Sequence, residues 1–382
     1  MHVVIAPDSF KGTASAADAA AAIARGWRSV RADDEVVERP MADGGEGTLD
    51  AFEAAVPDAR RMPITVRGPV AVQGRVAVQG RATDSAPIAT HWLLLPGGTG
   101  VVELAATSGL SLVDPLAPFD AHTAGFGDAI VAALDAGVKR LLLAVGGSAS
   151  TDGGVGALSA LGARFLGVDG RPVGLGNRAL GRLDRVELSG LRPLPDGGAM
   201  VLGDVTNPLL GEGGAAAVFG PQKGADAADI IVLEANLARF ARLVPGVSAE
   251  APGAGAAGGA GFGLLAWGAE MGGGAALVAS AAGLAHDLVG ADLVVTGEGR
   301  FDGQSEAGKA PSHVARLAAE AGAPVALIAG SITAEPRGFA ASVALAGLAG
   351  DRAAAMADPV RWLEAAGARL ASGHSSRTPG GT

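Results

Sequence analysis

Residues 2–12, HVVIAPDSFKG, begin with a short apolar run that ends in a polar loop at Pro7. An apolar run without alternation is typical of a strand that is buried on both faces of a parallel sheet. The Ala-rich segment 15–28 predicts a helix, and segments 36–39 and 48–55 predict a second strand and a second helix. This βαβα beginning predicts an α/β domain.

The end of the chain has the same character as its beginning. Segments 291–296 and 325–329 predict two more buried strands, and segments 311–321 and 361–371 predict helices. Because both ends share one pattern, we expect them to form a single α/β domain whose two parts are separated in the sequence.

The segment between these ends has a mixed pattern. Alternation of apolar and polar residues over 64–78 predicts an antiparallel hairpin. The Gly- and Ala-rich stretch 251–263 is expected to be a loop. The remaining predicted elements are strands at 92–95, 100–104 and 140–145 and helices at 126–136 and 155–166.

A length of 382 residues is typical of two domains. We predict a first domain made of residues 1–62 and 288–371 and a second, mixed α/β domain inserted over residues 63–287. The polar residues 372–382 are expected to form a flexible tail.

The composition excludes several classes of protein. The chain contains no Cys, which excludes a disulfide scaffold, a thiol nucleophile and a Cys-ligated zinc or iron–sulfur site. Its net charge is −10, and it has no basic stripe of the kind that nucleic-acid-binding proteins carry. We therefore expect no nucleic-acid partner.

The mean hydropathy of +0.34 raises the question of a membrane span. The longest uncharged run, residues 251–269, is mostly Gly and Ala, so its transfer into a bilayer is only weakly favourable. The N-terminus lacks the basic and apolar regions of a signal peptide. We expect no membrane partner and a cytoplasmic location.

Five loops that follow predicted strands carry most of the chemically useful side chains. In open α/β sheets, ligands bind beyond the carboxyl ends of the strands. Each loop also has a plain structural interpretation, as a turn or a helix cap. The loops are residues 7–12, 41–48, 146–154, 203–208 together with 219–224, and 296–303.

The first two loops supply charges of both signs. Asp8, Ser9 and Lys11 provide a carboxylate, a hydroxyl and a cation, and a lysine in this position can neutralise phosphate. Asp43 and Glu46 flank a Gly pair, and such carboxylates bind a divalent cation or stabilise the start of a helix.

The third and fourth loops suit phosphate binding. The small residues of 146–154 allow close approach of the backbone to a phosphate at a predicted helix N-terminus. Asp204 and Asn207 suit Mg²⁺ or a substrate hydroxyl, or form an Asx turn, and Lys223 suits phosphate. Phosphate, metal and carboxylate chemistry without thiol or histidine is typical of phosphoryl transfer.

The loops resemble, in order, the motifs of the type I glycerate kinase family, and the resemblance extends to about residue 371. It implies a discontinuous flavodoxin-like (Rossmann-like) domain that carries an inserted, restriction-enzyme-like mixed α/β domain. It also implies phosphorylation of D-glycerate at the 2-hydroxyl, with ATP and Mg²⁺ as cofactors. The matching stretches are 6–12 (APDSFKG), 41–48 (MADGGEGT), 146–149 (GGSA), 204–209 (DVTNPL), 219–225 (FGPQKGA), 252–259 (PGAGAAGG), 296–302 (TGEGRFD) and 308–311 (GKAP).

Within this resemblance, side-chain chemistry suggests a role for each candidate residue. Asp204 or Asp43 is expected to be the general base, and Lys11 is expected to neutralise the transferred phosphoryl group. The residues expected to bind ATP are Gly146, Gly147, Ser148, Ser150, Thr151 and Lys223. Those expected to bind substrate are Asp8, Ser9, Asn207 and Arg300, and those expected to bind metal are Glu46, Glu298 and Asp302.

Three alternatives remain open at the level of the sequence. The enzyme would phosphorylate the 3-hydroxyl of glycerate, or another small sugar acid, or the chain would bind a hydroxy acid or nucleotide without catalysis. A homodimer is a further expectation that the sequence leaves untested.

Overall fold

The structure is a computed structural model of the chain, and it describes residues 1–10, 12–71, 85–302 and 310–373. Residues 372 and 373 of the predicted tail belong to the last helix, and the rest of that tail lies outside the described residues.

Strands occur along the whole described chain. They are β1 His2–Ile5, β2 Glu35–Glu38, β3 Arg60–Ala71, β4 Ser85–Leu95, β5 Thr99–Glu103, β6 Arg140–Ala144, β7 Arg164–Leu166, β8 Arg185–Glu187, β9 Ala199–Leu202, β10 Glu270–Gly272, β11 Leu293–Phe301, β12 Val325–Ile332 and β13 Ala341–Ala344.

Helices alternate with these strands. They are α1 Ala16–Val30, α2 Thr48–Ala55, α3 Ala105–Ser108, α4 Ala124–Asp135, α5 Val155–Ala160, α6 Asn177–Leu180, α7 Ala215–Phe219, α8 Ala227–Leu243, α9 Ala256–Trp267, α10 Gly274–Ala281, α11 Leu284–Asp287, α12 Ala310–Glu320, α13 Leu345–Ala349, α14 Arg352–Ala357 and α15 Pro359–Gly373. Short 3₁₀ turns lie at Leu110–Leu112 and Pro221–Lys223.

The chain divides into two compact units. Unit 1 consists of Met1–Asp43, Asp50–Pro57 and Ala275–Thr382, and unit 2 consists of Gly44–Leu49 and Asp58–Gly274. An interrupted α/β domain with a mixed α/β insertion is the fold class that the sequence predicted. The predicted boundaries at 62/63 and 287/288 stay predictions.

Unit 1 contains a parallel sheet of five strands in the order β2-β1-β11-β12-β13. Numbered within the unit, this is the order 2-1-3-4-5 of the flavodoxin-like fold. The residues of β1 are apolar because the strand lies between two parallel neighbours, with Val3 opposite Val36 on one side and Leu293 on the other.

Two long helices of unit 1 pack closely against each other. α1 starts at a cap in which the Ser15 hydroxyl accepts a hydrogen bond from the Asp18 amide at 3.1 Å. Where α1 crosses α15, a Cβ atom on Gly26 would overlap the carbonyl oxygen of Glu364. The absence of a side chain at this position therefore sets the distance between the helices, with Trp27 fully buried beside it.

Unit 2 is built on a mixed sheet of six strands in the order β10-β9-β6-β5-β4-β3. β10, β9, β6 and β5 are parallel, while β4 and β3 are antiparallel to their neighbours. β7 and β8 form a separate antiparallel pair. An extensive apolar core of the described residues, which includes Phe126, Leu158, Phe240 and Phe262, lies in this unit.

Several sequence-based expectations for unit 2 were wrong in extent. Of the antiparallel hairpin expected over 64–78, residues 64–71 belong to β3, which pairs antiparallel with β4, and residues 72–78 lie outside the described part of the chain. The helix expected over 155–166 ends at Ala160, because Gly162 has a φ of +110° and the chain then enters β7. The expected loop 251–263 overlaps the start of α9, but Ala257, Gly258 and Gly259 have positive φ values and are not helical, so only its last residues, from Ala260 on, form regular helix.

In unit 1, β11 is longer than expected. It continues to Phe301, so most of the polar stretch 296–303 belongs to a strand paired with β12 rather than to a loop. In the described part of the chain, no helix is both long enough and apolar enough to span a membrane.

Candidate functional site

A cavity of about 260 Å³ lies at the carboxyl ends of the parallel strands of unit 1. This is the edge where open α/β sheets bind their ligands. Its polar residues are Asp8, Ser9, Thr13, Asp43, Glu298, Arg300, Asp302 and Arg352, and its apolar residues include Phe10, Leu345, Ala355, Met356 and Pro359.

Asp8 and Ser9 reach the cavity because the chain after β1 is tied to β11. The Asp8 amide donates to the Gly297 carbonyl at 2.8 Å, and the Thr296 hydroxyl donates to the Ala6 carbonyl at 2.8 Å. The Asp8 carboxylate then accepts a hydrogen bond from the Ser9 amide at 2.6 Å. Both side chains are buried in the cavity wall.

Asp43 enters the cavity from the segment after β2. The Met41 amide donates to the Pro7 carbonyl at 2.8 Å, which holds this segment beside the one that carries Asp8. Met41 and Ala42 are fully packed, whereas Asp43 is half-buried at the cavity. The structure therefore brings together the first and second predicted loops of this unit.

Arg300, Asp302 and Glu298 line the cavity from β11 and its end. The Arg300 guanidinium lies 3.3 Å from the Asp302 carboxylate, measured from Nε to Oδ2. Glu298 is buried and Arg300 is exposed. The strand thus presents a carboxylate inside the wall and a cation at its rim.

The hydroxyl of Ser9 indicates that the cavity can bind a polar ligand. This oxygen is buried and has no hydrogen-bond partner within residues 1–10, 12–71, 85–302 and 310–373. A buried polar atom without a partner costs about 1–3 kcal/mol. A ligand hydroxyl or carboxylate at this position would satisfy it.

The carboxylates of the cavity fit a magnesium ion that arrives with a nucleotide. Mg²⁺ is commonly bound through one or two carboxylates together with substrate phosphates. Among the described residues, no group of three or more His, Asp or Glu side chains is placed to hold a metal by itself. Of the predicted ligands, Glu298 and Asp302 line the cavity, and Glu46 is an exposed residue of unit 2.

In unit 2, the loop 146–154 follows β6, as predicted, and is organised by Asp152. The carboxylate of this fully buried residue accepts hydrogen bonds from the amide and hydroxyl of Thr123, both at 2.9 Å. It also accepts from the amides of Gly154 and Gly156, both at 3.1 Å. Asp152 therefore joins the starts of two helices, α4 and α5.

Lys223 is buried beside this loop and is only 1% exposed. Its ammonium group donates to the Ser148 hydroxyl at 2.8 Å and to the Ser150 carbonyl. Burial lowers the pKa of Lys223 to about 7, and the nearby Asp152 carboxylate opposes this shift. In this structure the lysine binds the loop itself, which differs from the expected direct contact with a phosphate.

The hydroxyl-bearing side chains of the loop are also buried. The side-chain oxygens of Ser150 and Thr151 have no hydrogen-bond partner in the described part of the chain, and neither has that of Ser108 at the end of α3. By contrast, Gly147 is exposed and has a φ of +76°. The part of this loop that a ligand can reach is therefore its backbone at Gly146 and Gly147.

Asp204 and Asn207 are half-buried in unit 2. The sequence predicted Asp204 as a general base or metal ligand and Asn207 as a substrate ligand. The Asp204 carboxylate accepts a hydrogen bond from the Gly274 amide at 3.2 Å. The Asn207 side-chain amide donates to the Gly213 carbonyl at 2.8 Å, which closes a local turn. Lys11 and the segment 303–309 lie outside the described residues.

Comparison with known proteins settles the family. A model of the glycerate kinase family matches residues 3–374, nearly the whole chain. The chain belongs to the glycerate kinase family. It is therefore a kinase, and the non-catalytic alternative is not retained.

This family member is similar to named and solved relatives over most of its length. It is 41% identical to glycerate 2-kinase of Escherichia coli strain K12 over 346 residues, which cover 87% of this chain and 86% of the relative. It is 42% identical to glycerate kinase of Bacillus subtilis strain 168 over 342 residues, with 87% and 86% covered. A crystal structure from Salmonella typhimurium LT2, provisionally named glycerate kinase 2, superposes with a TM-score of 0.77 at 36% identity and covers 98% of both chains.

Two features of this glycerate kinase family chain were missed at the level of the sequence. Glu103, at the end of β5, is buried and accepts hydrogen bonds from the amides of Gly47 and Leu49 at 3.3 and 2.9 Å. Arg352 lines the cavity of unit 1 from α14, a segment in which no motif was recognised. A lone acid that ends a strand was the only available signal for Glu103.

Proposed function

We propose that the chain transfers the γ-phosphoryl group of ATP to the 2-hydroxyl of D-glycerate, giving 2-phosphoglycerate and ADP. The observation that carries this proposal is the 41% identity to a relative named glycerate 2-kinase, which extends over 87% of the chain. The chemistry of the unit 1 cavity gives independent support.

The cavity suits a small polar acid. Its volume of about 260 Å³ lies just below the range of about 300–1,000 Å³ that is typical of drug-sized ligands. Ser9 offers a buried hydroxyl, and Arg300 offers a guanidinium at the rim. A three-carbon hydroxy acid needs both kinds of group, because it carries hydroxyls and one carboxylate.

Asp43 is the better of the two predicted candidates for the general base. It lies in the same cavity as Ser9 and Arg300, where substrate is proposed to bind. Asp204 belongs to unit 2, and one of its oxygens accepts the Gly274 amide. We assign to Asp43 the acceptance of the proton of the substrate hydroxyl as its oxygen attacks phosphorus.

The remaining charges would neutralise the phosphates. Mg²⁺, when bound with ATP, supplies positive charge to the phosphate oxygens, and Glu298 and Asp302 are its proposed protein ligands. Glu46 is retained only as a predicted ligand. Lys11 keeps its predicted role of neutralising the transferred group.

For the nucleotide, we propose contact with the backbone of Gly146 and Gly147 rather than with buried side chains. Ser148, Ser150, Thr151 and Lys223 are all buried, so their proposed role is to shape this loop. The predicted homodimer and cytoplasmic location stay predictions.

A coupled assay tests the proposed reaction and its product. The chain is incubated with ATP, Mg²⁺ and D-glycerate, and enolase is then added without phosphoglycerate mutase. Formation of phosphoenolpyruvate supports phosphorylation at the 2-hydroxyl. A requirement for mutase would identify the 3-phosphate as the product, and absence of ADP would contradict glycerate as the substrate.

A further inference from the structure

The cavity of unit 1 contains a second arginine that no motif of the sequence pointed to. Arg352 is the first residue of α14. It lines the cavity together with Ala355, Met356 and Pro359, which follow it at intervals of three, four and seven residues. Arg352, Ala355 and Met356 lie on one face of α14 because they are three and four residues apart, and Pro359 is the first residue of α15. This side of the cavity is therefore apolar except for Arg352.

The charges in the cavity make a cation at this position useful. Four carboxylates line the cavity, those of Asp8, Asp43, Glu298 and Asp302, against two guanidinium groups. An acidic substrate carries a carboxylate of its own and is repelled by the four. Its entry therefore depends on the guanidinium groups that can contact it.

The two arginines differ in their existing contacts. The Arg300 guanidinium lies 3.3 Å from the Asp302 carboxylate. In contrast, the side chain of Arg352 makes no hydrogen bond or ion pair with any residue that the structure describes. A guanidinium group without a carboxylate partner keeps its whole planar edge for a bidentate contact with an external carboxylate.

The surroundings of Arg352 strengthen such a contact. The same cavity is lined by the buried side chains of Leu345 and Ala355, and by Met356, which is exposed like Arg352 itself. Apolar walls lower the local dielectric constant and so increase the attraction between opposite charges.

We propose that Arg352 determines substrate specificity by pairing with the carboxylate of the hydroxy acid. This proposal rests on the proposed function. Arg352 thereby takes the carboxylate contact that the proposed function gave to Arg300, which stays beside Asp302 at the rim. Ser9 and Asp43 contact the hydroxyl groups.

The test compares two substrates of equal size that differ only in charge. D-glycerate and its neutral amide, glyceramide, are assayed with the wild-type chain and with Arg352→Met and Arg352→Lys. Arg361→Met is the control, because Arg361 lies on α15 of the same unit, outside the cavity wall, and stacks on Trp362. The Arg361→Met variant loses the same charge as Arg352→Met and keeps a similar side-chain length.

For Arg352→Met, we expect kcat/KM for D-glycerate to fall by roughly 10- to 150-fold, mainly through KM, since a charge-assisted hydrogen bond is lost. The values for glyceramide and the KM for ATP should change by less than about threefold. Arg352→Lys should recover part of the lost kcat/KM, because lysine keeps the positive charge but lacks the planar N–H groups of the guanidinium that contact a carboxylate in a bidentate way. Arg361→Met should behave like the wild-type chain.

Each contrary outcome has its own meaning. If wild-type chain forms no phosphorylated product from D-glycerate, the proposed function fails, and calorimetric binding of D-glycerate and glyceramide decides the Arg352 proposal directly. Equal loss with both substrates overturns the carboxylate contact, and a raised KM for ATP instead assigns Arg352 to nucleotide phosphate. Unchanged KM for D-glycerate in an active Arg352→Met variant overturns the proposal while the proposed function stands.

Discussion

Replacing Lys223 with Met would remove a buried ammonium group and thereby change how stability depends on pH. Burial lowers the pKa of Lys223 to about 7 in the folded chain, whereas an unfolded chain has an ordinary lysine pKa of about 10.4. Above both values neither state is protonated, so Lys223 has no pH-dependent effect. As the pH falls from about 10 to 7, only the unfolded chain takes up a proton, and the folded chain loses relative stability.

The size of this effect follows from the difference between the two pKa values. Each pH unit between about 7 and 10 changes the unfolding equilibrium constant of the wild-type chain tenfold relative to that of Lys223→Met. Between pH 7 and pH 9 the difference amounts to about 2 kcal/mol, because the folded lysine is itself half-protonated at pH 7. Below pH 7 both states are protonated and the difference becomes constant.

The Met variant also loses the hydrogen bonds to the Ser148 hydroxyl and the Ser150 carbonyl. Their loss destabilises the variant by an amount that does not change with pH, so the slope and not the absolute value reports the titration. Asp152 is the carboxylate that opposes the shift, and its four accepted hydrogen bonds remain in the variant.

Urea unfolding at pH 7, 8 and 9 measures these slopes. Tryptophan fluorescence follows both units, since Trp92 and Trp267 are buried in unit 2 with Lys223, and Trp27 and Trp362 belong to unit 1. Lys139→Met is the control, because Lys139 is an exposed lysine of the same unit. The reasoning is refuted if the free energy of unfolding of wild type and Lys223→Met changes in parallel with pH.

Three further substitutions have defined expectations. Asp43→Asn should lower kcat for ADP release by about 10²- to 10⁴-fold with a smaller change in KM, because a general base is lost. The exposed control Asp33→Asn should keep its rate. An Asp43→Asn variant with full activity would remove Asp43 from the mechanism. Gly26→Ala should lower the free energy of unfolding by about 1–3 kcal/mol, because its Cβ would overlap Glu364. The control Gly347→Ala, which has open space around it, should be neutral or stabilising by up to about 1 kcal/mol. Equal urea midpoints for the two variants would contradict the close helix crossing. Gly258→Ala should reduce both the stability of the chain and its affinity for ATP, because the φ of Gly258 is +67° and the new Cβ would lie 2.9 Å from the Lys223 ammonium group. Calorimetry measures the affinity. An unchanged affinity would show that this contact does not affect nucleotide binding.

The buried parallel strands were predictable because their residues carry a strong and local signal. A run such as residues 2–5 is apolar throughout, and only a strand covered on both faces needs that pattern. The same holds for β12 and β6, whose positions agree with the predicted segments. The fold class followed from the order of these elements along the chain.

The end of the stretch 251–263, where the regular part of α9 begins after the non-helical residues 257–259, was misjudged for a physical reason. Gly and Ala are typical of loops by composition, but here they allow close packing. A Cβ on Gly261 would overlap the Gly253 carbonyl, and one on Gly258 would overlap the Ser150 carbonyl. The buried helix α9 therefore depends on contacts between distant residues, which composition does not report.

The candidate site was predictable where it follows strand ends and unpredictable where it depends on tertiary packing. Asp8, Ser9, Asp43 and Arg300 were recognised from their loops, and the structure places them in one cavity. The burial of Lys223 had no signal in the local sequence, since a lysine after a turn is ordinarily exposed. Arg352 lacked a signal because its importance comes from the strands that lie opposite α14.

The position of the phosphoryl group on the product is the most direct measurement of the proposed activity. Proton-coupled ³¹P spectra are recorded after the chain acts on D-glycerate with ATP and Mg²⁺. We predict a new phosphate signal split into a doublet by the single proton on C2, with ADP formed in equal amount. A triplet from the two protons on C3, or the absence of any new phosphate ester, would contradict it.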